Sequence, residues 1–229
     1  MTFAEHALGL VKEGTTIGLG TGRAATQFVE ALGRKVAGGF KIRGVPTSAA
    51  TARLATQLRI PLTTLEEAEE LDATFDGADE VAPDLGLIKG YGGALVREKI
   101  VAASSRRLII LVGPGKEVAR LGSRGRLPVE VVPFGLALAR RRLAQLGLGG
   151  EVRTVPEKTG LPGAERTPYL SDNGNMIIDC LCRALDDPKA LERQLRDIPG
   201  VVDTGLFLDI AETILIGHDD GTVQVRTRS

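Results

Sequence analysis

The sequence predicts an α/β fold, in which a doubly wound, mostly parallel (Rossmann-like) sheet is joined by a smaller inserted α+β domain of ferredoxin-like type. Three observations lead to this prediction. Short apolar runs alternate with amphipathic segments over the first half of the chain, glycine-rich turns join several of them, and the alternation ends near Pro128. Strands that alternate with helices form parallel sheets, because each helix returns the chain to the same edge.

The first half of the chain opens with a helix and continues with alternating strands and helices. Thr2 and Glu5 fit a capping box, and apolar residues then recur at helical spacing as far as Gly14. The pattern that follows predicts strands at 15–19, 41–45, 73–75 and 107–112 and helices at 24–32, 49–58 and 94–103. This order predicts the parallel sheet.

From Pro128 the predicted order becomes strand, helix, strand, hairpin, helix and strand, which is the split β-α-β plan of ferredoxin-like domains. These segments cover residues 128–134, 135–146, 151–155, 169–181, 188–197 and 201–208. Two further short strands, at 212–217 and 222–226, return to the first sheet. We therefore expect a larger α/β domain of residues 1–127 and 204–229, a smaller α+β domain of residues 128–203, and a mobile loop at 154–167.

Composition excludes several classes of partner. The 29 basic and 29 acidic residues balance, so there is no electrostatic reason to expect nucleic acid or an anionic membrane as partner. No apolar run approaches the roughly 20 residues of a membrane span, and the amino terminus lacks the pattern of a signal peptide. We expect a cytoplasmic protein.

Cys180 and Cys182 have no further cysteine or nearby histidine, which favours plain buried thiols over a zinc site.

The turn after the first strand is a candidate phosphate or sugar-hydroxyl cradle. Gly20 and Gly22 let the backbone curl, Thr21 offers a hydroxyl, and Arg23 brings a cation to the start of the next helix. Ser48, after the second strand, offers a further hydroxyl on the same rim. The alternative is ordinary helix capping with a solvated arginine, and for Ser48 capping explains the residue equally well.

The turn after the third strand is acidic. Asp76 stands at the strand end and Asp79 one turn later, and paired acids in a partly dry site have different proton affinities, so that one donates while the other accepts. A magnesium site that also uses Glu80 is one alternative. Turn and cap residues without chemistry are another.

Lys89 follows an apolar run and precedes a flexible glycine segment, where its ammonium can stabilise an oxyanion. Spacing alone makes Glu98 a surface residue, because Arg97 and Lys99 beside it look like a solvated helix face. The whole inventory of acids, lysines, hydroxyls and glycine turns, without a serine–histidine pair or a nicotinamide fingerprint, suits proton movement on a small anionic polyol.

Several motifs resemble the ribose-5-phosphate isomerases of the A type, in the order in which that family carries them. They are GLGTG at 18–22, DGADE at 76–80, KGYGGA at 89–94 with REK at 97–99, LPVEVVPF at 127–134, DNGN at 172–175, IPGVV at 198–202 and GLF at 205–207. The resemblance covers nearly the whole chain. It implies interconversion of ribose 5-phosphate and ribulose 5-phosphate in the pentose phosphate pathway, without metal or organic cofactor, by a homo-oligomer, either a dimer or a tetramer.

The resemblance also implies roles for single residues. Glu98 becomes the base that moves a proton between C1 and C2, which overrules the surface interpretation. Asp76 and Asp79 become the paired acids, with Asp76 implicated in ring opening and proton exchange with the oxygens, and Lys89 becomes the oxyanion stabiliser. The implied phosphate contacts are Thr21, Gly22 and Lys116.

The chain departs from the family pattern around that phosphate site. The usual Ser-Thr pair after the glycine is Arg23-Ala24 here, and Gly113 stands where many members have aspartate. We expect the Arg23 guanidinium to replace the lost hydroxyl contacts by a bidentate clamp on phosphate.

Two other functions are compatible with some of the same motifs. A sugar-phosphate sensor of similar fold would keep the glycine turn but would not need Glu98 and Lys89 together. A magnesium-dependent phosphatase would use Asp76, Asp79 and Glu80 as ligands.

Overall fold

The computed structural model describes residues 3–155 and 167–228. Thr2 of the predicted capping box and most of the predicted mobile loop 154–167 lie outside these residues. The described part contains six α-helices: α1 (Phe3–Leu8), α2 (Arg23–Ala37), α3 (Ala49–Gln57), α4 (Leu95–Ala103), α5 (Leu136–Gln145) and α6 (Pro188–Arg196).

The same residues form thirteen strands, several of them only two or three residues long. They are β1 (Thr16–Leu19), β2 (Arg43–Pro46), β3 (Ala73–Gly77), β4 (Glu80–Val81), β5 (Leu87–Ile88), β6 (Leu108–Val112), β7 (Arg126–Val131), β8 (Gly150–Val152), β9 (Met176–Leu181), β10 (Val201–Thr204), β11 (Leu206–Phe207), β12 (Thr213–Gly217) and β13 (Val223–Thr227).

The central sheet has the strand order β13-β12-β6-β3-β1-β2, and every neighbouring pair is parallel except β12 with the edge strand β13. Apolar residues of β6 alternate between its two faces: Ile109 and Leu111 pack with α1, α2 and α3, whereas Leu108 and Ile110 pack with α4. The prediction of a doubly wound, mostly parallel sheet is confirmed. Its carboxyl edge holds the turns that follow β1, β3 and β6.

A second sheet, of order β10-β7-β9-β8, is entirely antiparallel. Helices α5 and α6 cover it through Ala139, Leu143 and Leu195, which pack on Val129 and Ile178. With its helices, this sheet has the chain order β-α-β-β-α-β, so the predicted ferredoxin-like arrangement is present. The exact limits of the two domains, at 127/128 and 203/204, stay predictions.

The sequence did not predict the third sheet, of order β11-β5-β4. The predicted strand 201–208 is in fact two strands, because the chain changes partner at Gly205. The Gly205 N–H donates to the Pro128 carbonyl beside β7, and the Gly205 carbonyl accepts from the Lys89 N–H beside β5. A Cβ on Gly205 would lie 2.4 Å from the Lys89 carbonyl oxygen, so the crossing requires glycine.

Two further predictions need correction. The strand predicted at 128–134 ends at Val131, and Pro133, which has no N–H for a sheet, begins a short 3₁₀ turn that leaves Phe134 fully exposed. Cys180 is buried as expected, but Cys182 lies just beyond β9 and is only half-buried. In residues 3–155 and 167–228, no helix has the length and apolar character needed to cross a bilayer.

Candidate active site

A cavity of about 650 Å³ opens at the carboxyl edge of the central sheet. This is the edge at which parallel α/β sheets bind their ligands, because helix amino termini and strand ends converge there. The predicted site residues that line the cavity are Thr21, Gly22, Arg23, Asp79, Lys89, Glu98 and Lys116. Gly20, Ser48 and Asp76 lie close behind this lining.

Asp76 ends up against the glycine turn because the turn has no side chain in its way. Its Oδ1 accepts hydrogen bonds from the backbone N–H groups of Thr21 (3.0 Å) and Gly77 (2.7 Å). A Cβ on Gly20 would lie 2.3 Å from this oxygen, so glycine is required. Gly22, at the start of α2, has a φ of 99°, which also favours glycine. The turn that was predicted as a cradle therefore also fixes a buried carboxylate.

Lys89 lies between two carboxylates. Its Nζ is 3.0 Å from Asp76 Oδ2 and 3.4 Å from Glu98 Oε1, and it also donates to the Gly77 carbonyl. All three charged side chains are buried. We call Asp76, Lys89 and Glu98 the acidic cluster, because two carboxylates share one ammonium group.

Glu98 shows where spacing alone was misleading. The prediction of a surface residue is wrong: Glu98 is 4% exposed, although Lys99 next to it is half-buried and Ile100 is exposed. Leu95, Glu98 and Val101 are all buried and follow one another at a helical spacing of three residues. A carboxylate in line with two apolar positions was the available signal.

Burial and charge together change the proton affinities in the acidic cluster. Burial raises the pKa of Glu98 to about 8, helped by the charge on Asp76 and opposed by Lys89. Burial opposes the charge of Lys89, but Asp76 and Glu98 outweigh it and raise the lysine pKa. The geometry thus combines a stable ammonium ion with a carboxyl group that exchanges a proton near neutral pH. Glu98 Oε2 has no hydrogen-bond partner among the described residues.

Asp79 stands at the mouth of the same site. The Tyr91 N–H donates to its Oδ2 at 2.9 Å, and Lys116 Nζ lies 3.8 Å from its Oδ1. Arg23, the first residue of α2, is exposed on the cavity rim. Arg23 and Lys116 therefore place two cations on a cavity whose depths hold the acidic cluster. The start of α2 has no side-chain cap among the described residues, and the N–H groups of its first turn add to the attraction for an anion.

Ser48 has a capping role in the structure. Its Oγ accepts from the Thr51 N–H at the start of α3 and from the Thr21 hydroxyl. Thr47 and Thr51 complete this hydroxyl network around Thr21. Ser48 therefore orients Thr21 and does not itself reach the cavity.

Glu80 does not join the other acids. Its two carboxylate oxygens accept from the backbone N–H groups of Gly122 (2.7 Å) and Arg124 (2.9 Å), so the side chain fixes a loop. Across residues 3–155 and 167–228, no three His, Cys, Asp or Glu side chains are grouped in a way that could hold a metal ion. The three-carboxylate site of the phosphatase hypothesis is not assembled.

His218 and Asp219 line the far side of the cavity and were missed as site residues. They follow β12, whose carboxyl end lies at the same edge as those of β1 and β3. The sequence contained part of this information, since the segment 212–217 was expected to return to the first sheet. What it did not give was the direction of that strand, β12, which is parallel to β6 and so brings the following turn to the carboxyl edge.

Comparison with known proteins agrees with this geometry. The sequence model of ribose 5-phosphate isomerase A (phosphoriboisomerase A) matches residues 43–221. Ribose-5-phosphate isomerase A of Roseiflexus sp. (strain RS-1) is 48% identical, over 99% of this chain and 94% of the relative. The corresponding protein of Parvibaculum lavamentivorans is 47% identical, over 96% and 94%.

Solved structures give the same result. Ribose 5-phosphate isomerase A of Methanocaldococcus jannaschii superposes with a TM-score of 0.90 at 38% identity, covering 99% of this chain and 96% of that one. A D-ribose-5-phosphate isomerase in complex with phospho-erythronic acid superposes with a TM-score of 0.92 at 37% identity, with the same coverage. The family match, the near full-length relatives and the shared fold together establish that this chain belongs to the ribose 5-phosphate isomerase A family.

Proposed function

We propose that this protein interconverts ribose 5-phosphate and ribulose 5-phosphate through an enediolate, with Glu98 as the base. The observation that carries the proposal is the position of Glu98: it lines the cavity, is otherwise buried, and shares Lys89 with a second carboxylate. A base that removes a proton from carbon works best with a pKa near the working pH. The raised pKa of Glu98 meets this requirement.

Lys89 supplies the charge that the reaction needs. Removal of a proton from C2 of the open-chain aldose places negative charge on the C1 oxygen, and an ammonium ion in a water-poor site stabilises that charge strongly. Glu98 then returns the proton to C1 to give the ketose. Because Lys89 Nζ lies 3.4 Å from Glu98 Oε1, the base and the oxyanion stabiliser would face the same part of a bound sugar.

The two aspartates have different positions and so receive different roles. Asp79 lines the cavity and is partly exposed, which suits proton exchange with the sugar oxygens. Asp76 is fully buried and does not line the cavity, so we assign to it the electrostatic support of Lys89 and Glu98. The resemblance implied a direct part for Asp76 in ring opening, and its burial favours the indirect role.

The phosphate end of the substrate fits the rim at α2. Arg23, the Thr21 turn and Lys116 would hold the 5-phosphate, with the free N–H groups of the helix start as further donors. Action in the cytoplasm and assembly into a homodimer or homotetramer are further proposals, which rest on the family membership alone.

Turnover in the presence of a chelator tests this function. Purified protein is incubated with ribose 5-phosphate in excess EDTA, and proton and phosphorus NMR follow both sugars and free phosphate. We expect the equilibrium mixture of ribose and ribulose 5-phosphates, with no phosphate released, because Lys89 takes the place of a metal ion at the enediolate. Binding without turnover would favour the sensor, and magnesium-dependent phosphate release would favour the phosphatase.

A further inference from the structure

We propose that Arg153, on the segment after β8, is a positioning residue for the isomerisation, because it fixes the glycine loop that places Lys89 and Asp79. This inference rests on the proposed function. Arg153 belongs to the antiparallel unit and does not line the cavity. It acts through the backbone that connects Lys89 to α4.

The contacts of Arg153 with this loop are specific. Its Nη1 donates to the carbonyl oxygens of Gly90 (3.0 Å) and Tyr91 (3.2 Å), and its side chain is only 10% exposed. Gly90 follows Lys89 directly, so its carbonyl sets the direction in which the chain leaves the lysine. The N–H of Tyr91 holds Asp79 Oδ2. One guanidinium group therefore fixes two successive peptide units, and the first of them, Gly90–Tyr91, also carries the N–H that binds Asp79 Oδ2.

Arg153 is itself held rigidly by Asp179 on β9. Its Nε and Nη2 bind the two carboxylate oxygens at 3.0 and 2.6 Å, in the bidentate geometry that only arginine provides. Arg126 binds the same carboxylate at 2.8 Å and lies over the Tyr91 ring, 4.6 Å from its centre. We call Arg126, Arg153 and Asp179 the basic cluster. Within this cluster, Asp179 anchors the Arg153 guanidinium to the antiparallel sheet.

The loop needs such external support because of its composition. Gly90 and Gly93 have φ angles of 101° and 85°, and glycines lose more conformational freedom on ordering than other residues. Tyr169 fills the space beside Gly93, where a Cβ would lie 2.3 Å from its hydroxyl oxygen. Contacts from the antiparallel unit thus replace the rigidity that the loop sequence lacks.

Two Arg153 variants and a matched control test the inference. Arg153→Lys keeps a charge for Asp179 but cannot reach the carboxylate and both carbonyls together, and Arg153→Gln loses the charge as well. The control is Arg107→Gln, which breaks another partly buried pair, Arg107 with Asp72 (2.6 Å), at the opposite end of the central sheet. Wild type is assayed in parallel. The readouts are kcat and KM, the melting temperature, and hydrogen exchange of the Gly90–Gly93 amides.

For Arg153→Lys we expect a folded protein whose kcat falls about tenfold or more while KM changes by less than about threefold, since misplacement by an ångström has costs of this size. The loop amides should exchange faster than in wild type. Arg107→Gln should show neither effect. If Arg153→Gln does not fold, the kinetics and loop exchange of Arg153→Lys alone test the inference.

A folded Arg153→Lys with kcat within twofold of wild type, or with unchanged loop exchange, overturns the inference. Failure of Arg153→Lys to fold also overturns it, because Arg153 would then serve folding as a whole. The proposed function fails separately, if wild type itself does not isomerise ribose 5-phosphate.

Discussion

The acidic and basic clusters are both built from buried or half-buried charges, but the first has an excess of acidic groups and the second an excess of basic groups. In one, two carboxylates share one ammonium group; in the other, two guanidinium groups share one carboxylate. The pKa of Glu98 is accordingly raised to about 8, through burial and the charge of Asp76. Burial also acts to raise the pKa of Asp179, but hydrogen bonds from Arg153 and Arg126 outweigh it and lower that pKa.

This difference shows how one fold makes a reactive carboxyl group and an inert one. An excess of buried acid leaves one carboxyl group that takes up and releases a proton near neutral pH, and the cavity gives it access to substrate. In the basic cluster, two guanidinium groups keep the Asp179 carboxylate ionised, and that carboxylate anchors Arg153. Arg23 adds a third case: it lies on the cavity rim, and no ion pair with another described residue is found for it.

Removal of the proton acceptor should have the largest effect. Glu98→Gln keeps the shape of the side chain but cannot accept a proton from carbon, so kcat for ribose 5-phosphate should fall about 10³-fold or more, with the fold and substrate binding retained. Coupled isomerase assays and circular dichroism measure both properties. The matched control is Glu70→Gln, an exposed glutamate paired with Arg106, which should keep full activity. Near-normal turnover by Glu98→Gln would end the assignment.

Removal of the supporting charge should have an intermediate effect. Asp76→Asn takes away a charge that raises the pKa of Glu98, so Glu98 becomes a weaker base and kcat should fall about 10- to 100-fold. The acidic limb of the pH profile of kcat/KM should move to lower pH. Asp72→Asn, on the residue just before β3, is the control and should leave the limb in place. A lower rate with an unmoved limb would contradict the electrostatic role of Asp76.

Removal of the cation at the cavity rim, Arg23, should affect substrate binding more than the chemical step. We expect Arg23→Ala to raise KM for ribose 5-phosphate about 10- to 100-fold, which corresponds to about 1.5–3 kcal/mol for charge-assisted hydrogen bonds. Any activity on unphosphorylated ribose should barely change. Arg34→Ala, in the last turn of the same helix, is the control. Equal kinetics of Arg23→Ala and wild type on ribose 5-phosphate would show an ordinary solvated arginine.

The smallest effects should appear in stability, with opposite signs for the two clusters. Glu98 has a folded-state pKa above its usual 4.5, so it makes wild type lose stability as pH rises from about 4.5 to 8. The stability of Glu98→Gln relative to wild type should therefore grow over that range, by at least about 1 kcal/mol. Asp179 has a lowered pKa and stabilises the fold above its usual 3.8. The stability deficit of Asp179→Asn should therefore shrink in acid. Urea unfolding at several pH values measures both differences in the free energy of unfolding between variant and wild type. If the two differences changed with pH in the same direction, the comparison of the two clusters would be contradicted.

The sequence predicted the parts of the fold that depend on local pattern. Apolar alternation and glycine turns were enough for the parallel sheet, and the segment predicted at 188–197 is α6, which the Asp187 side chain caps. The short sheet of β4, β5 and β11 was missed because its strands are two residues long and pair only through tertiary contacts.

The candidate site was harder to predict, because its chemistry arises between distant segments. Spacing gave Asp76 and Lys89 as candidates but put Glu98 on the surface, and only the family resemblance assigned it to the site. Arg153 carries no local motif, and its importance depends on carbonyl groups more than sixty residues earlier in the chain. Periodicity places Glu98 in line with two apolar residues of α4, but it does not identify the distant segments that supply Asp76 and Lys89.

Direct titration of the Glu98 carboxyl group tests the central claim, that an excess of buried acid makes Glu98 the base. In protein labelled with ¹³C at the glutamate side-chain carboxyl, the Glu98 resonance is assigned by its loss in Glu98→Gln and followed from pH 4 to 10. We predict a midpoint near 8 in wild type and a lower midpoint in Asp76→Asn. A wild-type midpoint at or below the ordinary 4.5 would contradict the account.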